Sequence, residues 1–116
     1  MDINYKNSNL QKICTDYRMA VKQYNTAVAD KLHAAINFME AADNISAVVN
    51  YPPFHFHPLQ RDRKGFFAID LGRKLGFRLI VRPKKENRYA TVEEIYGVEA
   101  CEIVIIRIEE VTNHYE

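Results

Sequence analysis

A chain of 116 residues, 47% hydrophobic and 11% aromatic, is large enough for one globular core and too apolar for a disordered segment. Its longest apolar run is far too short to span a bilayer, and no basic segment followed by an apolar stretch marks a secretion signal, so we expect a single cytoplasmic domain over residues 1–116 without membrane contact. The net charge of +1 excludes a uniformly basic or acidic chain.

The first elements of the chain are predicted to be a short strand and an amphipathic helix. Ile3 and Tyr5 alternate with polar residues, as in an edge strand. Ser8 followed by Gln11 is a capping-box pattern and places the start of a helix next to Ser8. From there apolar residues recur at three- and four-residue spacing as far as Tyr24, which predicts one continuous helix.

A second helix is predicted after a break at Asn25. Thr26 is its candidate N-cap, and its apolar stripe ends before Asp43. Two prolines follow Tyr51 and end the helical region, because a proline lacks the amide donor and restricts the residue before it. The simplest arrangement of the two helices is a hairpin.

Beyond the prolines the apolar period changes from 3.6 to 2, which predicts strands. We predict three of them, separated first by a charged turn and then by a glycine-bounded hairpin turn, at residues 54–59, 66–71 and 77–82. A long polar connection follows, with a short helix around residues 92–96. The β-branched run from Ile103 to Ile108 predicts a central strand buried on both faces.

This element order, β-α-α-β-β-β-β, predicts an α+β fold. Strands that follow one another through short turns pair in antiparallel fashion, and an amphipathic helix buries its apolar stripe against a sheet. We therefore expect an N-terminal strand and a two-helix hairpin packed on one face of a four- to five-stranded antiparallel sheet.

The two cysteines are far apart in the sequence. Cys14 falls on the apolar side of the first predicted helix, and Cys101 directly precedes the last predicted strand. We predict two buried free thiols in a reducing compartment, with a disulfide or a reactive thiol as the alternative.

Charge is strongly segregated along the chain. Residues 55–88 carry ten Lys and Arg against three Asp and Glu, which gives +7, whereas the rest carries six bases and twelve acids, which gives −6. Charge this uneven predicts a phosphate-bearing partner at the middle segment. The alternative is a set of solvated charges on strands and turns.

The segment from His57 to Val81 resembles the HigB-type killer toxins of the RelE/ParE superfamily. It contains His57-Pro58-Leu59, a basic turn with an Asp and a Gly, an aromatic-rich strand, a second basic turn and the aromatic-Arg-aliphatic strand Phe77-Arg78-Leu79-Ile80. The first strand, the entry into the first helix and a histidine near the C-terminus, His114, are also similar to the family, so that the resemblance covers nearly the whole chain.

The resemblance implies a RelE-like fold and the toxin of a type II toxin–antitoxin system, an endoribonuclease that cleaves mRNA on the ribosome without a metal or other cofactor. In such cleavage a 2′-hydroxyl is deprotonated, attacks the adjacent phosphorus and expels the 5′-oxygen, which requires a base, an acid and cations. By the family match the catalytic residues are Arg78, His114, Arg73 and His57. The same match implies that RNA is bound by Arg61, Arg63, Lys64, Lys74 and Tyr115.

Arg78 is the first candidate for stabilising the transition state. It alternates with Phe77 and Leu79, which face the core, so its side chain points to the face that the helices leave open. Its planar fork suits two phosphate oxygens. The alternative is a surface arginine that pairs with Asp70 or Glu102.

Histidine is the side chain that exchanges a proton near neutral pH, since its unperturbed pKa is about 6.5. By its position His114 is the main candidate for general acid or base, and His57 the second. His55 and His57 alternate on one strand face, but no nearby Cys or acid completes a metal site, so we predict none. Unpaired bases stack on exposed aromatic rings, for which Tyr115 and Phe56 are candidates.

The sequence departs from the family in three places. Thr112 and Asn113 stand where the family has an acid and a tyrosine, and Gln60 stands where it has a base. Two alternatives stay open: a ParE-like inhibitor of DNA gyrase without nuclease activity, and an attenuated toxin that retains only antitoxin binding. The combination of His114 with Arg78 favours RNA cleavage over gyrase inhibition.

The partners implied by the resemblance are the ribosome with its mRNA and a cognate antitoxin with a helix-turn-helix domain. The antitoxin would neutralise the toxin and carry it to operator DNA, which the toxin itself would not contact.

Overall fold

The computed structural model describes residues 1–113, in which helices pack on one face of a six-stranded sheet. The strands are β1 (Asp2–Tyr5), β2 (His57–Pro58), β3 (Phe67–Asp70), β4 (Arg78–Lys85), β5 (Arg88–Tyr89) and β6 (Ile105–Thr112). The helices are α1 (Ser8–Thr15), α2 (Tyr17–Gln23), α3 (Thr26–Ala41), α4 (Ile45–Val49) and α5 (Val92–Tyr96). Single 3₁₀ turns lie at Pro52–Phe54, Arg61–Arg63, Arg73–Leu75 and Val98–Glu102. The predicted α+β class is confirmed.

The first predicted helix is divided in two at Asp16, so the prediction of one continuous helix was wrong. Asp16 has extended backbone angles, and its carboxylate accepts a hydrogen bond from the amide of Arg18 at 3.1 Å, which caps α2. An Asp side chain competes with the helical backbone for such donors. The apolar stripe crosses this break because both helices bury the same side, and the periodicity therefore concealed it.

The helix starts differ by one residue from those predicted. Asn7, and not Ser8, caps α1 by accepting from the amide of Leu10 at 2.8 Å. Asn25, and not Thr26, caps α3 in the same way through Val28 at 2.8 Å. Asparagine is as good an N-cap as serine. Within residues 1–113 no helix is long and apolar enough to cross a membrane.

The sheet is antiparallel except at one edge. Its strand order is β1-β6-β4-β3-β2, and β5 pairs with the far end of β4. The edge strand β1 runs parallel to β6, with Ile3 opposite Ile106. A period-2 pattern says which residues share a face but not which strand is the neighbour or in which direction it runs. Six strands and one parallel pair thus replace the four to five antiparallel strands expected.

The first predicted strand after the prolines is mostly not a strand. Residues 54–59 contain only the two-residue β2, where His57 lies opposite Ala68 and Pro58 opposite Phe67. Before it, the 3₁₀ turn ends at His55, whose φ of 44° is left-handed. Phe54 and Phe56 are buried on either side of His55, so the apolar alternation is real although the backbone is irregular.

The last strand begins later than predicted and is buried on one face only. Ile106 and Ile108 are fully buried, whereas their neighbours in β6 are half-buried. β6 is paired on both sides, with β1 and β4, and a bulge at Glu109 shifts its register against β4 between Ile80 and Val81. The prediction of burial on both faces was wrong because Ile105 and Arg107 point away from the helices.

The core lies between the helices and the sheet. From the helices it takes apolar side chains such as Leu32, Ile36 and Met39, and from the sheet Phe67, Ile69, Leu79, Val81, Ile106 and Ile108. A small second cluster of Leu59, Ala68 and Ile80, with Phe66 against it, lies on the other face. The sheet therefore has a covered face and an uncovered one, which we call the open face.

The two cysteines differ in exposure. Cys14 is a buried free thiol as predicted, and Cys101 is free but exposed, so the prediction that both are buried was wrong. Cys101 lies in a 3₁₀ turn and its thiol donates to the carbonyl of Val98 at 3.3 Å instead of entering the core. Burial raises the pKa of the Cys14 thiol to about 12.

We expect Ellman's reagent at about pH 8 to titrate one thiol per native chain and two in denaturant, since only the thiolate reacts. Cys101→Ser should abolish the native reaction and Cys14→Ser should leave it unchanged. Rapid reaction of two thiols in the native protein would contradict the burial of Cys14.

Candidate functional site

The alternation of β4 separates hydrophobic from basic side chains. Leu79 and Val81 enter the core, whereas Ile80 joins the small cluster on the open face. Arg78 and Arg82 share the parity of Ile80, so they lie on the open face as well. The register places Arg78 between Asp70 of β3 and Thr112 of β6. Thr112 occupies the position at which the resembled family has an acid.

A groove of about 710 Å³ opens on this face at the irregular segment that follows β2. It is lined by residues 57–63 and by the side chain of Arg78. Four of the predicted site residues therefore lie together in one groove: His57, Arg61, Arg63 and Arg78. We call this the basic groove.

The ring of His57 is held in one tautomer. Its Nδ1 lies 2.7 Å from the backbone carbonyl oxygen of His55. A carbonyl oxygen only accepts hydrogen bonds, so Nδ1 carries the proton. In the neutral ring Nε2 is then the atom with the free lone pair, which is the arrangement that a general base requires.

His55 and Asp70 connect His57 to Arg78. The ring of His55 lies 4.8 Å from that of His57, and its Nδ1 is 3.5 Å from one carboxylate oxygen of Asp70. The other oxygen of Asp70 is 4.0 Å from Nε of Arg78. The left-handed backbone of His55 turns its carbonyl towards His57 and its ring towards Asp70. A non-glycine residue in this conformation is uncommon and is concentrated at functional sites.

Arg63 is fixed at the other side of the basic groove. Its Nη2 donates to Oε1 of Glu110 at 2.9 Å, which ties the 3₁₀ turn after β2 to strand β6. The guanidinium also lies 5.2 Å from the centre of the Phe66 ring. Both contacts hold Arg63 beside the groove with about a third of its side chain exposed, 31%.

Sequence reasoning missed a stack of cations and rings beside the basic groove. The guanidinium of Arg82 lies between two aromatic rings, 4.5 Å from the centre of Phe66 and 3.5 Å from that of Tyr89. Lys84 follows, 5.9 Å from the Tyr89 ring. Because Arg63 also contacts Phe66, cations and rings alternate through five side chains on the open face, in the order Arg63, Phe66, Arg82, Tyr89 and Lys84. We call this the cation–aromatic stack.

Part of this stack had a sequence signal. Arg82 and Lys84 are two and four residues beyond Ile80, so strand parity alone places them beside Arg78. Phe66 and Tyr89 had none, because their contact with Arg82 depends on the pairing of β3 and β5 with the same edge of β4.

The other basic residues of the middle segment lie elsewhere. Arg73 and Lys74 are exposed in the turn between β3 and β4, and Arg73 lines a different groove. Arg88 forms two hydrogen bonds with Glu94, which hold the pKa of that carboxyl far below its usual range, and Lys85 also pairs with Glu94. Lys64 is exposed at the end of its turn.

Of the predicted aromatic platforms, Phe56 is buried and stacks on Phe67 with ring centres 5.1 Å apart, so it is not open to a base. His114 and Tyr115 lie outside the described residues. Within residues 1–113 no three His, Cys, Asp or Glu side chains come together as a metal site needs.

No protein-family model matches the sequence, and no curated protein matches it. Among solved structures the fold is similar to that of the YoeB/ParE toxin from Agrobacterium tumefaciens, with a TM-score of 0.53 and 14% identity over 99% of this chain and 100% of that chain. The likeness is one of fold. It supports the predicted fold, with helices packed on one face of a mostly antiparallel sheet, and it does not extend to the HigB branch.

We expect Arg82→Lys to lower the free energy of unfolding by about 1 kcal/mol, because lysine keeps the charge but loses the planar contact with both rings. Denaturant unfolding would measure the change. Arg18→Lys on the exposed side of α2 is the matched control and should stay within about 0.5 kcal/mol of the wild type. Equal stability of both variants would show that the stack adds nothing.

Proposed function

We propose that this protein is the toxin of a type II toxin–antitoxin system and that it cleaves mRNA on the ribosome. The observation that carries the proposal is the basic groove, in which His57, with its Nε2 left as a proton acceptor, lines the same space as Arg78, Arg61 and Arg63. A base among cations on an uncovered sheet face is what RNA cleavage by 2′-hydroxyl attack needs.

In the proposed reaction His57 Nε2 takes the proton of the 2′-hydroxyl as its oxygen attacks the adjacent phosphorus. The bond from phosphorus to the 5′-oxygen breaks, and an acid protonates the leaving oxygen; His114 is the residue proposed for that step. Arg78 is proposed to bind the phosphate oxygens, whose negative charge becomes more concentrated in the transition state. No metal is required, because protons and charge are both handled by side chains.

The surroundings of the groove suit a single RNA strand. Arg61 and Arg63 lie at its edge and supply charge for flanking phosphates. The cation–aromatic stack beside it joins rings and guanidinium groups, the two kinds of side chain on which unpaired bases stack. RNA is thus proposed to cross the open face from the basic groove towards Lys84. Lys64, Lys74 and Tyr115 remain proposed secondary contacts.

The proposed partner is an antitoxin with a helix-turn-helix domain, as expected for the HigB branch. The alternative is the ParE-like activity, inhibition of DNA gyrase, and the structurally similar protein is a YoeB/ParE toxin. The decisive experiment is induction of the protein in a bacterium with mapping of mRNA 5′ ends, together with a supercoiling assay on purified gyrase. New ends without gyrase inhibition are expected. Gyrase inhibition without new ends would overturn the proposal, and normal growth would indicate an attenuated toxin.

We expect Arg78→Ala to abolish toxicity and to reduce ribosome-dependent cleavage by at least about a hundredfold, since it removes the cation proposed to bind the phosphate oxygens. Because only 17% of the Arg78 side chain is exposed, truncation also removes packing, so Arg78→Lys serves as the variant that keeps stem and charge but loses the fork. We expect it to lose at least about tenfold. Arg18→Ala, the control, should cleave like the wild type. Full activity of Arg78→Lys and Arg78→Ala would refute the assignment.

We expect His57→Asn to slow cleavage by roughly two to four orders of magnitude. Asparagine places an amide near the position of Nδ1, so the hydrogen bond to the His55 carbonyl is retained while Nε2 is lost. His114→Ala should cause a loss of the same order. Single-turnover rates on programmed ribosomes would measure both. If His57→Asn slowed cleavage by less than about tenfold while His114→Ala had the full effect, the general base would be His114 and not His57.

A further inference from the structure

A second groove lies at the C-terminal end of β3, beside residues 70–73. The proposed reaction does not use it. It has a volume of about 340 Å³ and lies between α3, the 3₁₀ turn at Pro52–Phe54 and the turn that follows β3. This volume is at the small end of the range for ligand pockets, about 300–1,000 Å³. It can take one or two side chains of a partner, and not a folded domain.

The wall of this groove is apolar. Phe38, Tyr51 and Phe54 contact one another, with ring centres 4.5 to 5.0 Å apart, and Ala34 and Ala35 complete the α3 side. Tyr51 is 38% exposed although it is a large ring. Phe38 and Tyr51 stack on each other, so their facing surfaces are closed to a nucleobase. An aliphatic side chain, unlike a nucleobase, does not need a free ring face to stack on, and it can pack against the edges of these rings.

Two cations stand at the rim. Lys31 and Arg73 both line the groove and are exposed. The side chain of Lys31 packs against Gly72, the residue before Arg73: its Cε would lie 3.7 Å from a Cβ built on that glycine. Among the described residues neither cation has a carboxylate within ion-pair distance. Asp70 also lines this groove, but its carboxylate oxygens lie next to His55 and Arg78. Lys31 and Arg73 therefore leave the rim with a net positive charge, which together with the apolar wall is complementary to an acidic, apolar ligand.

We propose that this groove is the docking site for an extended acidic segment of a partner protein. One aliphatic side chain of the segment enters the pocket of Phe38, Tyr51 and Phe54, and a neighbouring carboxylate pairs with Lys31 and Arg73. The groove shares no lining residue with the basic groove, and its proposed role does not depend on RNA cleavage. It assigns to Arg73 a contact with a protein carboxylate, in place of the phosphate contact that the family match implied.

The test is an NMR titration of the ¹⁵N-labelled full chain with a short acetylated and amidated peptide of alternating Glu and Leu. Its twin, with Lys in place of Glu, has the same length and the same apolar content. We expect the acidic peptide to give saturable shifts at residues around Lys31, Tyr51 and Arg73, and the basic twin to give none. Lys31→Glu and Arg73→Glu should each weaken binding at least about tenfold.

Matched controls are Lys12→Glu and Arg18→Glu, which make the same charge changes on exposed positions of α1 and α2 outside the grooves. Both should bind the acidic peptide within about twofold of the wild type. The spectra themselves report whether each variant is folded. Absence of saturable shifts, equal binding of the basic twin, or shifts centred on Arg78 and Arg82 would each overturn the proposal. The titration measures only peptide binding. A negative result would therefore contradict the docking site without bearing on the proposed nuclease activity.

Discussion

Strand β4 is the constraint on which the rest of the structure depends. It is paired with β6 along one edge and with β3 and β5 along the other, so its register is set from both sides. Burial of Leu79 and Val81 stabilises this register by about 1.5–3 kcal/mol for each side chain. A slip by one residue would send both to solvent and Arg78 to the core. The hydrophobic core therefore determines where the arginines of the open face lie.

The basic groove depends equally on a segment without regular structure. His55 and Arg61 have left-handed backbone angles, and between them only two residues pair as β2. Such conformations are costly for non-glycine residues, and here the buried side chains of Phe54, Phe56 and Leu59 hold the segment against the sheet. The result is a histidine whose ring is oriented by a backbone carbonyl, next to an arginine oriented by strand geometry.

Charge is organised into surfaces that the formal charge of +1 does not reveal. Part of the basic segment is compensated locally, through Glu94 and Glu110, and the remainder divides between the open face and the groove at Arg73. Asp70 lies where the two surfaces meet: it lines the groove at Arg73, and its carboxylate faces both His55 and Arg78.

The sequence by itself determined which side chains share a face, because apolar periodicity is local and follows directly from helix and strand geometry. It therefore predicted the α+β class, the side of β4 on which Arg78 lies and the short helix α5. It did not reveal the break at Asp16, the parallel pairing of β1 with β6 or the exposure of Cys101. Only the tertiary structure decided that Arg82 lies between Phe66 and Tyr89, and that Arg73 lies apart from Arg78 although it is close in sequence. Those contacts join separate elements, and a local pattern carries no information about which elements meet.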